Sequence, residues 1–193
     1  MKVLGIVCSP RLHGNTEIMV QESLAGAQER GAEVELVTLV GKTMAPCDGC
    51  YSCQKTGVCH IKDDMQDIYA ELLEADGIIF GTPVYFWTVS AQAKILIDRT
   101  VVLAEARKLR NKVAGVVVTQ GREGATSAAT VFSSFFTTQG MVMAGYAVGF
   151  GGMKEGQYGY EYPVAGVKND EMGMAQARGL GRAVVRRIQS SKI

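Results

Sequence analysis

Short runs rich in Val and Ile alternate along this chain with longer segments of helical periodicity, and this alternation limits the possible folds more than any other feature. Such a pattern is typical of an α/β protein, a parallel sheet with helices on both faces. Right-handed crossovers leave few topologies for five strands, and the doubly wound order 2-1-3-4-5 is expected. The predicted strands cover 2–8, 33–40, 77–83, 112–121 and 141–150, and the predicted helices cover 16–30, 63–76, 90–104, 125–138 and 169–190.

The length and charge of the chain exclude several classes of function. Its 193 residues predict one domain over 1–193, and a formal net charge of +1 gives no general attraction to nucleic acid or to acidic membranes. The longest apolar runs, such as 113–118, are strand-sized and well short of the roughly 20 residues that span a bilayer. We find no secretory leader, so we expect a cytoplasmic protein whose thiols stay reduced.

The loop after the first strand carries polar groups suited to a phosphate. In a doubly wound sheet, ligands bind where strands 1 and 3 diverge at their carboxyl ends, which draws attention to residues 8–16, 81–89 and 119–126. The first of these loops leads into a helix and offers hydroxyls, an amide, a guanidinium and backbone N–H groups, which suit a terminal phosphate monoester. An ordinary capped turn has a similar composition. The residues concerned are Ser9, Arg11, Gly14, Asn15 and Thr16.

The loops after the third and fourth strands offer apolar walls and open backbone. Pro83 holds Thr82 extended and ends its strand, and Tyr85, Phe86 and Trp87 follow. These rings suit a planar ligand, although some of them are also expected to pack on the sheet. In the third loop, Gly121 and Gly124 allow close approach of a ligand to the backbone, or simply form a glycine-rich turn.

Four cysteines are clustered within 41–62, after the second strand, with the spacing C-x2-C-x2-C-x5-C. A disulfide is disfavoured in a reducing compartment, and a zinc site usually joins two C-x2-C pairs, or one such pair and a distant pair of ligands. The three thiols at successive x2 spacings are closest to the ferredoxin pattern that binds a [4Fe–4S] cluster; zinc and free thiols stay open as alternatives. Cys8 is expected to be a buried core residue, and His60 is a spare ligand beside the set. The four candidate metal ligands are Cys47, Cys50, Cys53 and Cys59.

Taken together, these loops resemble the NADPH-dependent FMN reductase family. The resemblance lies in S-P-R-x-x-G-N-T after strand 1, G-T-P-V-Y after strand 3, T-x-G-x-x-G after strand 4 and the N-D-E start of the last helix. It implies a flavodoxin-like fold with non-covalently bound FMN, the phosphate held by the first loop and the isoalloxazine lined by the other two. The implied FMN-binding residues are Ser9, Arg11, Gly14, Asn15, Thr16, Thr82, Pro83, Val84, Tyr85, Phe86, Thr119 and Gly121.

Within that family the cysteine run resembles the iron–sulfur flavoproteins. The resemblance implies a [4Fe–4S] cluster on the 41–62 loop, and homo-oligomers, dimers or tetramers, in which a cluster serves the flavin of a neighbouring subunit. The 150–168 segment, with Tyr158, Tyr160 and Tyr162, is expected to pack over that flavin or across the interface, a mobile loop being the alternative.

The leading hypothesis is an FMN-dependent oxidoreductase for electron transfer. A one-electron donor such as ferredoxin reduces the cluster, the cluster reduces FMN, and FMN reduces a small acceptor, with no side-chain acid or base required. One alternative is an NAD(P)H-dependent FMN or quinone (azo- or nitro-) reductase without a cluster. A second is a non-catalytic redox sensor or carrier.

Overall fold

A five-stranded parallel sheet forms the centre of the molecule, with the strand order β2-β1-β3-β4-β5. A computed structural model describes residues 1–156, 159–161 and 163–190. The predicted 2-1-3-4-5 order is confirmed, and the fold is flavodoxin-like. The strands are β1 (Lys2–Val7), β2 (Glu33–Thr38), β3 (Gly77–Pro83), β4 (Val113–Gln120) and β5 (Val142–Phe150).

Helices cover both faces of this sheet. They are α1 (Asn15–Gln28), α2 (Ser52–Thr56), α3 (Met65–Glu74), α4 (Ala91–Arg99), α5 (Val101–Ala104), α6 (Ala125–Gln139) and α7 (Glu171–Ser190), with a 3₁₀ turn at Gly166–Asn169. None of the helices within the described part of the chain is long and apolar enough to cross a membrane.

The structure differs from the predicted elements in three places. The helix predicted over 90–104 is two helices, α4 and α5, joined at Thr100, whose hydroxyl donates to the Ile97 carbonyl. The cysteine segment contains the short helix α2, and the segment after β5 contains a small antiparallel hairpin, β6 (Lys154–Gly156) and β7 (Gly159–Glu161). Short elements of this size have too few residues to show a period in the sequence.

Alternate side chains of each strand enter two separate cores. Leu4, Ile6 and Cys8 face the core covered by α3 to α6, whereas Val3 and Val7 face the core covered by α1 and α7. This is the period-2 alternation of a strand buried on both faces. The expectation that Cys8 is a core residue is confirmed, since it is fully buried and burial raises the pKa of its thiol.

The helices α1 and α7 lie in close contact through glycines. A Cβ built on Gly26 would lie 2.1 Å from the Arg178 carbonyl oxygen, and one on Gly181 would lie 1.7 Å from the Ser23 carbonyl oxygen. Ion pairs from Arg178 to Glu22 and Glu29 join the same two helices at the surface. These contacts fix the position of α1 against α7, and with it the end of the loop that precedes α1.

Two glycines of α7 give opposite predictions. We expect Gly181→Ala to lower the free energy of unfolding by about 1–3 kcal/mol, because its methyl group meets backbone that cannot move aside. Gly179→Ala, at an exposed position with nothing within 4 Å of the new Cβ, should instead raise it by about 0.5–1 kcal/mol. Urea unfolding of both variants measures the difference, and equal effects would contradict the close helix contact.

Candidate functional site

A cavity of about 630 Å³ lies at the carboxyl ends of β1, β3 and β4. Its volume falls within the range of small-molecule sites, about 300–1,000 Å³. The three loops singled out in the sequence all contribute to its wall. The cavity brings together Ser9, Arg11, Gly14, Asn15, Thr16, Pro83, Val84, Tyr85, Phe86, Thr119 and Gly121.

Thr82 is the one candidate that does not line this cavity. Its side chain is fully buried, and its hydroxyl accepts from the Ser90 N–H and donates to the Pro83 carbonyl. Ser90 is the N-cap of α4, since its Oγ accepts from the Ala93 N–H at 3.2 Å. Thr82 therefore holds the loop that forms the wall and lies behind it.

One end of the cavity is suited to an anion. The N-cap residue of α1 is Gly14, which has no side chain to accept hydrogen bonds from the first-turn N–H groups. These groups and the helix dipole favour negative charge at this point. The exposed guanidinium of Arg11 lines the same end and forms no hydrogen bond or ion pair with any other described residue. The residue types and their arrangement match a phosphate site.

A buried carboxylate determines the shape of this loop. Glu17, in the first turn of α1, is 5 % exposed and accepts from the His13 N–H at 2.7 Å and lies 3.1 Å from His13 Nδ1. His13 has φ of 54°, a left-handed conformation that the hydrogen bonds of Glu17 stabilise. Ser9 Oγ accepts from the Arg11 N–H at 3.1 Å, which fixes the preceding turn.

The side chain of Asn15 is already engaged by the segment after β5. Its Nδ2 donates to the Pro163 carbonyl at 2.9 Å, and its Oδ1 accepts from the Val167 N–H at 3.1 Å. Both ends of the amide are therefore engaged, and the backbone N–H of Asn15, at the first position of α1, stays available to a ligand. The sequence gives no sign of this contact, because the partners are about 150 positions away.

Two buried hydroxyls lie on the floor of the cavity. Thr16 Oγ1 and Thr119 Oγ1 are 2.7 Å apart and almost fully buried. One hydroxyl donates to the other, so the accepting one keeps a hydrogen that no other described residue accepts. A ligand acceptor at this point would use it, since a buried donor without a partner costs about 1–3 kcal/mol.

The opposite end of the cavity is an aromatic turn. Tyr85 and Thr88 exchange both backbone hydrogen bonds, and the two residues between them, Phe86 and Trp87, have φ of 45° and 71°. This is the geometry of a two-residue hairpin that normally needs Asn or Gly. Phe86 is 97 % exposed and Trp87 60 %. The turn thus presents two large rings without burying them in either core.

Some lining residues were not singled out in the sequence. They are Gln120, Arg122, Glu123, Gly151 and Gly152. The first three lie within the loop 119–126 already named, but the Gly pair follows β5, whose loop the 2-1-3-4-5 switch-point rule does not include. Two successive glycines at a strand's carboxyl end were the available signal.

The cysteine loop leaves β2 and returns to α3, as predicted, and acidic residues tie its two stems. The Thr43 N–H donates to Asp64 at 2.6 Å, and the Ala45 N–H donates to Asp63 at 2.9 Å. The Arg99 guanidinium forms a bidentate ion pair with Asp63, with Nη1–Oδ2 and Nη2–Oδ1 distances of 2.7 and 3.0 Å. These hydrogen bonds hold the pKa of the Asp63 carboxyl below its usual value, Arg99 contributing most.

The thiols are free and divided between two environments. Cys47 and Cys50 are exposed, whereas Cys53 and Cys59 are half-buried against the core. Around one zinc ion the ligand atoms are separated by about 3.8 Å, yet no three thiols within the described residues lie within 4.8 Å of one another. The set that does is Asp48, Cys50 and His60, all exposed, in which His60 Nε2 lies 2.7 Å from Asp48.

The donor chemistry at both places matches the groups that the sequence suggested. The cavity combines hydroxyls and helix N–H groups at one end, which suit a phosphate, with aromatic walls at the other, which suit the planar ring of a flavin. The loop supplies four unpaired thiols, the ligands of an iron–sulfur cluster, without the spacing of a preformed zinc tetrahedron.

The tyrosines after β5 are only partly described. Tyr158 and Tyr162 lie outside the described residues, and for Tyr160 the backbone alone is described, in β7. Their expected packing over the site stays a prediction. The neighbouring residues Pro163 and Val167 do contact Asn15, which follows the loop after β1.

The aromatic turn gives a testable prediction about strain. Left-handed φ costs a residue with a Cβ roughly 1–2 kcal/mol, and glycine avoids this cost. We therefore expect Trp87→Gly to unfold at a higher urea concentration than Trp87→Ala, with a free energy of unfolding that is larger by about 1 kcal/mol. The alanine variant removes the same ring, so their difference isolates the backbone, and a less stable glycine variant would argue against the positive φ.

Comparison with known proteins places this chain among flavin proteins. The sequence profile of the NADPH-dependent FMN reductase family matches residues 1–154. An iron–sulfur flavoprotein of Methanocaldococcus jannaschii is 39 % identical over the whole of both chains. One of Methanosarcina thermophila is 36 % identical over 79 % of this chain and 82 % of its own.

A solved structure supports the same fold. RosB, crystallised with 8-demethyl-8-formylriboflavin-5′-phosphate, superposes with a TM-score of 0.78 at 17 % identity, covering all of this chain and 82 % of its own. At that identity the likeness concerns the fold alone. The family match and the identity to the curated relatives carry the assignment: this chain belongs to the NADPH-dependent FMN reductase family and is a flavin redox protein.

Proposed function

We propose that this chain is an FMN-dependent oxidoreductase that transfers electrons from a one-electron donor such as ferredoxin, by way of a [4Fe–4S] cluster and FMN, to a small-molecule acceptor. The observation that carries the proposal is the convergence of three loops on one cavity with an anion-binding end and an aromatic end. The iron–sulfur flavoprotein relatives support the cluster.

In this proposal the phosphate of FMN lies at the N-terminus of α1. Arg11 provides the positive charge, the first-turn N–H groups donate hydrogen bonds, and the Thr16–Thr119 pair donates its remaining hydrogen. Asn15 contributes its backbone N–H, because its amide group holds residues 163–167. Tyr85, Phe86 and Trp87 exclude water from the ring at the other end.

The cluster is held by Cys47, Cys50, Cys53 and Cys59 on the 41–62 loop. When bound, FMN supplies storage for two electrons and the cluster supplies one-electron transfer. The half-buried thiols anchor the loop against the core, while the exposed pair faces outward, where a donor protein has access. The thiols must stay reduced, which is consistent with a cytoplasmic location.

We further propose that 1–193 is one domain and that the protein forms homo-oligomers in which the cluster of one subunit serves the flavin of another. The nearly complete exposure of Phe86 and the outward position of Cys47 and Cys50 are consistent with such an arrangement. Aromatic side chains of this size are enriched at the buried centre of interfaces.

The proposal is tested first on protein purified without oxygen. We expect about four irons and four sulfides beside one FMN per chain, with an electron paramagnetic resonance signal after reduction. Cys53→Ser should lose the iron and keep FMN, whereas Cys8→Ala, at the cysteine outside the run, should keep both. FMN without iron, together with rapid reduction by NAD(P)H, would instead favour the cluster-free reductase.

The phosphate site is tested with a ligand that lacks the phosphate. We expect Arg11→Gln to weaken FMN binding by about 10- to 100-fold, as loss of a charge-assisted hydrogen bond implies, and to leave riboflavin binding unchanged. Arg30→Gln, an exposed arginine after α1, is the control. Fluorescence titration measures both ligands, and an equal loss for FMN and riboflavin would remove Arg11 from the phosphate site.

A further inference from the structure

Arg99, the last residue of α4, holds both stems of the cysteine loop from inside the protein. Its Nη1 donates to the Ala45 carbonyl, before the first cysteine, and its Nη2 lies 3.4 Å from the Ile61 carbonyl, after the last. Asp63 completes the set with two carboxylate contacts. The side chains of Arg99 and Asp63 are 1 % and 6 % exposed, so this is a buried ion pair.

Cys59 lies two positions before Ile61, whose carbonyl Arg99 approaches. It packs, half-buried, against the core that includes Tyr69, and the Tyr69 hydroxyl donates to the Arg99 carbonyl at 2.9 Å. Burial raises the pKa of Tyr69 to about 12; the Arg99 charge opposes this shift and a Cys59 thiolate adds to it. For Arg99 itself burial lowers the pKa, but Asp63, Tyr69 and Cys59 outweigh it and the net pKa is raised.

The guanidinium also retains a free donor. Arg99 Nε is buried and has no hydrogen-bond partner among the described residues. Of the four thiols, Cys53 and Cys59 pack against the core, and the Cys59 charge contributes to the raised pKa of Arg99. A buried N–H without a partner is unfavourable, so a hydrogen-bond acceptor brought to this position would stabilise the pair.

We propose that the buried Arg99–Asp63 pair positions Cys59 and sets the reduction potential of the cluster bound there. This inference rests on the proposed cluster and goes beyond it, since it assigns a function to residues outside the four ligands. The two side chains carry opposite charges, so the intact pair changes the electrostatic potential at Cys59 little. In a low-dielectric surrounding, loss of either charge exposes the cluster to the other.

The sign of each change follows from charge. Reduction adds one electron and makes the cluster more negative by one unit, so nearby positive charge favours the reduced form. Asp63→Asn keeps the shape of the side chain and leaves the Arg99 charge uncompensated, which should move the potential to a more positive value. Removing Arg99 as well should reverse that shift.

Asp64→Asn is the matched control. It removes the same charge one residue away, from a carboxylate that also accepts a backbone N–H of the first stem, that of Thr43, but does not contact Arg99. If the shift came only from weakening the backbone hydrogen bonds of the two stems, it would appear in both aspartate variants.

The experiment is a redox titration of anaerobic holoprotein with dithionite, followed by electron paramagnetic resonance, with iron measured for every variant. We expect a positive shift for Asp63→Asn that exceeds the shift for Asp64→Asn, and a return toward the wild-type potential in Arg99→Gln/Asp63→Asn. The double variant leaves no unpaired buried charge, which favours its folding.

Each other outcome decides against the inference. Equal shifts in the two aspartate variants, no shift, or no reversal in the double variant would remove the electrostatic role. Loss of iron or of folding in Asp63→Asn alone would make the pair purely structural. Wild-type protein without iron would instead contradict the proposed function itself, so the two failures are distinguishable.

Discussion

The parallel pairing of β1, β3 and β4 is the constraint on which the rest of this structure depends. In the observed register Val7 lies beside Gly81, and Pro83 lies beside Thr119, so the three strands end at one edge. Three loops that are far apart in sequence therefore converge without any contact having to bring them together. Parallel neighbours must also be joined by crossover helices. These helices pack on both faces of the sheet, so the strand side chains are divided between two cores.

Helix α4 connects the cavity to the cysteine loop. At its start, Ser90 Oγ donates to the Cys8 carbonyl at 2.5 Å and accepts from Ala93; at its end, Arg99 holds the loop stems. Its nine residues span about 14 Å. Both ends are fixed by buried polar groups, so movement of either the cavity wall or the cysteine loop would break hydrogen bonds that water cannot replace.

The sequence predicted what depends on local pattern and failed where distant residues meet. The strands were predicted because each is a short apolar run between helical periods, and the cavity residues because they follow strand ends. Two sets of hydrogen bonds leave no local pattern, because they join residues far apart in the sequence. One set links Asn15 to Pro163 and Val167, and the other links Arg99 to Ala45 and Ile61. In the sequence Arg99 is an ordinary polar residue at the end of an amphipathic helix, and only tertiary packing makes it one of the most buried side chains.

The aromatic turn shows why such contacts matter for function. The left-handed φ of Phe86 and Trp87 destabilises the backbone by roughly 1–2 kcal/mol at each residue. Because both rings are exposed, their burial in the core offsets little of this destabilisation. Glycine at either position would avoid the cost. Gly124 packs against this turn, where a Cβ would lie 2.8 Å from Val84 and 3.1 Å from the Trp87 Cα, so the loop after β4 supports the strained turn. Strain of this kind persists where the surroundings enforce it, and here they hold two rings at the mouth of the cavity, where a flat ligand would cover them.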